Sequence, residues 1–181
     1  MGGIWVAVQA WEVDDGRLSH LALGSHLAVP LALSLDVVEG AQRDPDIGLR
    51  LTADPRDAAD NDVHYQGTVR LFANPEGVWL FDAGEYVLIT DDLPDGMGAG
   101  AYDVSGRLEV PLFGSAVRGA TTDWSVSKIV AHSADGDTNV ISNVEVDSVD
   151  AAVTRPGSAL LPRTGVSCLL LALERAEPAV P

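Results

Sequence analysis

Aspartate is the residue type through which this chain would most readily do chemistry. Asp54, Asp57, Asp60 and Asp62 fall within nine residues, and Asp91, Asp92 and Asp95 within five. Carboxylate oxygens this close in sequence suit a hard cation such as calcium. The segment Asp135-Gly136-Asp137-Thr138-Asn139 opens like an EF-hand loop and then departs from it. Val140 stands where the turn glycine belongs, and Val146 where the bidentate glutamate belongs. In so acidic a chain the plainer reading is solvated turn carboxylates. No metal or cofactor is therefore expected, and weak calcium binding by the first cluster is the most these residues suggest.

Other chemistry finds less support. His20, His26, His64 and His132 show no metal-binding spacing on a helix. There is no G-x-S-x-G elbow and no G-x-x-x-x-G-K-[ST] phosphate loop. Gly96-Met97-Gly98-Ala99-Gly100 has the glycines of a dinucleotide loop without a βαβ unit around it, and reads as a plain flexible loop. No catalytic residue is assigned, and a non-enzymatic protein is expected. The aromatic residues Trp5, Trp11, Trp79 and Trp124, with Tyr65, Tyr86 and Tyr102, offer a stacking platform for a sugar or peptide. Trp5 and Trp79 sit in matching contexts and are expected in a core, whereas Trp11 and Trp124 are freer to be surface anchors. The candidate partner-binding residues are thus Trp11, Asp91, Asp92, Asp95 and Trp124.

Charge narrows the partner. Among 181 residues, 27 acidic side chains face 11 Lys and Arg, a formal net charge of −16. Nucleic-acid affinity comes from basic groups neutralising phosphates, so that partner is not expected. The same excess repels anionic membranes and steers basic proteins toward the surface. Met1-Gly2-Gly3-Ile4-Trp5 lacks the basic start of a signal peptide, and Leu21 to Val38 alternates as a strand does, so a cytoplasmic protein with no membrane association is expected. The single cysteine, Cys168, cannot form an intrachain disulfide and reads as a buried thiol within Val166 to Leu173.

The elements that must position these residues are strands. Ile4 to Val13 is rich in β-branched and aromatic residues and stops at Asp14-Asp15-Gly16. Leu27, Val29, Leu31, Leu33, Leu35 and Val37 alternate with smaller or polar residues, which predicts one continuous strand with these six in a core. Further strands are expected at 47–53, 63–73, around 108–112, 124–130 and 140–149, with Asn74-Pro75-Glu76-Gly77 as a turn. Two stretches share the pattern L-x-V-P-L-x-x-S, Leu27 to Ser34 and Leu108 to Ser115, at a constant offset of 81 (108 − 27). Pro30 and Pro111 fall at the same register in each and predict an edge or a bend.

The fold class expected is all-β: two tandem, pseudo-symmetric small β-units, barrel- or sandwich-like, packed together with little helix. The first copy would span 1–76 and the second 77–150. Residues 151–181 would supply a linker, a closing strand at about 165–174 and a tail. Function is expected to be that of an acidic protein-binding module, with an inhibitor- or immunity-type partner of a basic protein as the best fit. A carbohydrate-binding or glycan-acting protein using surface Trp and Asp residues is the alternative, and a structural homo-oligomer is a third reading.

Overall fold

A computed structural model describes residues 3–9, 18, 20–42, 45–57, 63–90, 92–111, 117–135, 140–150 and 167–176. Among these, the strands are β1 (Ile4–Gln9), β2 (His26–Ala28), β3 (Ala32–Gly40), β4 (Gly48–Leu51), β5 (His64–Ala73), β6 (Trp79–Asp82), β7 (Val87–Thr90), β8 (Gly100–Glu109), β9 (Asp123–Asp135), β10 (Val140–Val146) and β11 (Ser167–Arg175). A 3-10 turn covers Pro55–Asp57. The protein is all-β with little helix, as its alternating apolar pattern predicts.

The chain divides into two compact units. Unit 1 comprises 1–28, 54–63 and 123–181, and unit 2 comprises 29–53 and 64–122. Each therefore draws on residues from both sides of position 76.

Unit 1 is an open sheet in the order β1-β11-β9-β10, with β2 pairing the first residues of β9 on the edge that β10 occupies further along. All its ladders are antiparallel. The uninterrupted apolar run Cys168 to Leu173 explains why β11 is central. Every one of these side chains is buried, so both faces of the strand are covered. Ile4, Val6 and Val8 on β1 and Val126 and Ile129 on β9 add to this core. Each such side chain contributes about 1.5–3 kcal/mol on full burial.

Unit 2 closes on itself. The ring runs β5-β6-β7-β3-β8 and back to β5, while β4 pairs β5 alongside β6. One pairing, β3 with β7, is parallel, and the rest are antiparallel. Closure removes the free edges of the five ring strands, leaving β4 as the edge strand among the described residues. Leu33, Tyr65, Val69, Leu71, Phe81, Leu88, Val104 and Leu108 are buried. Two inward positions hold glycine because strands cross too closely for a side chain. A Cβ on Gly67 would overlap the Gly48 carbonyl oxygen, and one on Gly106 the Ser34 carbonyl oxygen.

The strand expected to run unbroken from 27 to 37 is interrupted in two ways. Pro30 lies between β2 and β3, where a residue with no N–H to donate ends one ladder before the next begins. Pro111 likewise falls just beyond β8. Further on, the register of β3 against β8 slips between Leu35 and Val37, leaving Asp36 out of the ladder. Such a bulge exchanges the two faces. Leu33 opposes buried Leu108 on the inside, but past the bulge it is Val38 that opposes buried Val104. Val37 is turned outward and is 53% exposed, contrary to the uninterrupted alternation read from the sequence.

Among the described residues, no helix is long and apolar enough to cross a membrane.

Candidate functional site

The outer surface of unit 2 carries an open groove of about 540 Å³ across four neighbouring strands, β4-β5-β8-β3. Period-two alternation sends Gln66 and Thr68 outward from β5 between buried Tyr65 and Val69, and Asp103 and Ser105 outward from β8 on either side of buried Val104. The pairing registers align these residues in two rows. One row is Val37–Ser105–Gln66–Arg50, and the next is Glu39–Asp103–Thr68–Gly48.

The second row sets two carboxylates directly opposite each other. Glu39 and Asp103 are paired across β3 and β8, and both are exposed. Like charges in that relation destabilise a sheet. One of them has internal help, since the Thr68 hydroxyl donates to Asp103 Oδ1 at 2.5 Å. A third row lies next to the bulge, where Asp36 approaches His64 Nδ1 at 3.3 Å and Arg107 Nη2 at 3.6 Å. The loop entering β8 is tied down by Tyr102, whose hydroxyl donates to the Gly98 carbonyl at 2.9 Å and accepts from the Gly98 N–H at 3.2 Å. Asp92 and Asp95 are exposed on that loop. The glycine-rich segment 96–100 thus leads into a strand, held by a tyrosine.

Unit 1 carries a smaller polar pocket of about 430 Å³, lined by Asp54, Arg56, Asp57, Val130, Asn143 and Glu145. Asp54, Arg56 and Glu145 are paired, while Asp57 is exposed. Asp54 accepts from the Arg56 side chain (Nε 2.9 Å, Nη2 2.5 Å) and from the Arg56 backbone N–H at 3.0 Å. These bonds, the side-chain ones foremost, hold the Asp54 carboxyl down at about 2. Lys128 Nζ donates to Glu145 at 2.6 Å and lowers that carboxyl as well. The Asn143 amide donates to the Arg56 carbonyl at 2.8 Å, which turns its Oδ1 toward His132 Nδ1 at 2.7 Å. His132 is 1% exposed, and this network assigns the hydrogen to its Nδ1. The pocket therefore anchors the 54–57 turn to β9 and β10.

The residues singled out from sequence meet different fates. Asp92 and Asp95 are exposed on unit 2, in the chain segment that runs directly into β8. Trp11 and Asp91 lie outside the described residues. Trp124, a candidate surface anchor for which core packing is the plainer reading, is 0% exposed and belongs to the core of unit 1, because β9 directs it inward while Asp123 and Ser125 face away. Trp5 and Trp79, expected in cores, are half-buried. Of the first aspartate cluster, Asp54 is engaged by Arg56, and Asp60 and Asp62 lie outside the described residues. Among the described residues no group of three His, Cys, Asp or Glu side chains is gathered to hold a metal.

Sequence reading missed Glu39, Arg50, Thr68 and Asp103. The outward direction of the β5 residues was legible from alternation, but that of the β8 residues was not, because the strand expected around 108–112 instead spans Gly100–Glu109. What brings Glu39 to Asp103, 64 positions later (103 − 39), is strand pairing, for which the chain carries no local signal. Compared with known protein families, curated proteins and solved structures, the chain matches none.

Proposed function

We propose that the protein is a non-enzymatic interaction module whose unit 2 receives a protein partner with a basic surface. The carrying observation is the exposed, directly opposed pair Glu39 and Asp103 on an open sheet face. A guanidinium or ammonium group laid over that pair relieves the repulsion between two carboxylates, so that binding removes a cost the free protein bears. The exposed Asp92 and Asp95 extend the same sign of charge, and the overall charge of −16 raises the encounter rate with basic proteins. An inhibitor- or immunity-type role toward a basic protein suits this design.

The glycan-binding reading depended on tryptophans at the surface, and the burial of Trp124 weakens it. The test is capture from cell extract at about 50 mM and about 300 mM salt, comparing the native chain with a Glu39→Gln/Asp92→Asn/Asp95→Asn/Asp103→Asn variant. A basic protein captured by the native chain at low salt, released at high salt and ignored by the variant is the expected result. Capture that is equal for both chains refutes the assignment to this face.

A further inference from the structure

The groove of unit 2 carries both signs of charge. Glu39 and Asp103 occupy one end, and Arg50 on β4 occupies the other, one row along. Arg50 is exposed, and among the described residues neither Arg50 nor Glu39 has an ion-pair partner. Arg118 and Arg175 likewise have no ion-pair partner among the described residues, but of these three arginines only Arg50 lines the groove. In the same chain Arg56, Arg70, Arg107 and Lys128 each lie within 4 Å of a carboxylate.

We propose that this groove seats an extended segment of the partner protein bearing an arginine or lysine and, four residues away, an aspartate or glutamate. The proposal rests on reading unit 2 as the partner-binding face, and it adds the chemistry of the bound segment. From Asp103 to Arg50 the path crosses two inter-strand spacings, roughly 10 Å, and two residues along a strand, roughly 7 Å, for a diagonal of about 12 Å. An extended peptide rises about 3.3 Å per residue, so side chains four apart match that span and point to the same side. The basic side chain lies over Glu39 and Asp103, its aliphatic stem resting against exposed Val37. The intervening same-side residue, two along, meets the polar pair Ser105 and Gln66, and the acidic residue meets Arg50.

The experiment is calorimetric titration of the full chain, at about 25 mM salt, with three synthetic peptides. All have Gly-Ser flanks, and their centres are Arg-Thr-Ser-Thr-Glu, Arg-Thr-Ser-Thr-Arg and Glu-Thr-Ser-Thr-Glu. The native chain is expected to prefer the Arg–Glu peptide over the Arg–Arg peptide by about three- to tenfold, the range supplied by exchanging repulsion for attraction at the one exposed contact with Arg50. Arg50→Glu should reverse that order, and Arg50→Gln should abolish it, with circular dichroism confirming that both variants fold. If the native chain binds the Arg–Arg peptide more tightly, or if Arg50→Glu leaves the order unchanged, the paired-charge groove is overturned while the acidic-face reading survives. If neither arginine-bearing peptide binds better than the Glu–Glu peptide, both are overturned.

Discussion

His132 and Asp54 are side chains capable of chemistry that the fold engages in bonds to their neighbours. His132 is buried, and Asn143 is its Nδ1 partner. Asn143→Ala should leave that nitrogen underbonded and cost about 1–3 kcal/mol in urea unfolding. Asp54 is tuned by its bonds from Arg56, assisted by the charge of Lys128 and opposed by partial desolvation. Its folded value, about 2, lies below the ordinary aspartate value. The stabilisation is therefore fully present above about pH 4, where an unfolded aspartate is ionised, and is lost as pH falls toward 2. Because the pair is well exposed, Asp54→Asn should cost only about 0.5–1 kcal/mol at neutral pH. The gap between the two proteins should narrow as pH falls through about 2, and a gap that stays undiminished there would refute the assignment. Trp124 makes the complementary point. Alternation along β9 settles its direction, and residue type alone does not.

At the scale of elements, alternation and one continuous apolar run made several strands legible. The runs at 63–73 and 165–174 appear as β5 and β11 nearly to the residue. β7 was not legible, because Val87-Leu88-Ile89-Thr90 is too short to show a period. The bulge at Asp36 was hidden for another reason. A one-residue slip exists only relative to β8, so β3 read alone continues its alternation through Val37. That account is testable by contrast within one strand. Leu33→Ala, inside the barrel, should cost about 2–5 kcal/mol. Val37→Asp, beyond the bulge and facing water, should change stability by no more than about 0.5 kcal/mol. Comparable losses would mean that Val37 is inside and the bulge is misplaced. Gly106→Ala should cost about 3 kcal/mol, since a methyl group there meets the Ser34 backbone and β3 must move to admit it.

At the scale of the molecule, composition reported charge faithfully and organisation poorly. Each unit is assembled from separate stretches of chain, and of the first L-x-V-P-L-x-x-S stretch only Ala32 to Ser34 pair with Arg107 to Glu109, at the start of the second. Leu33 of the first stretch pairs with Leu108 of the second, inside one barrel. The candidate face has the same origin, since the consecutive strands β3, β4 and β5 and the more distant β8 all supply its lining. The proposed function rests on what that assembly brings together, an opposed carboxylate pair on the same face as Arg50, which has no ion-pair partner among the described residues. The most direct measurement is a backbone-amide NMR titration of the full chain with the Arg-Thr-Ser-Thr-Glu peptide at about 25 mM salt. Shifts confined to residues 37–39, 48–50, 66–68, 103–105 and the 92–99 loop, and suppressed at about 300 mM salt, are the predicted result. Shifts centred on the Asp54–Arg56 pocket of unit 1, or none on unit 2, would contradict the account.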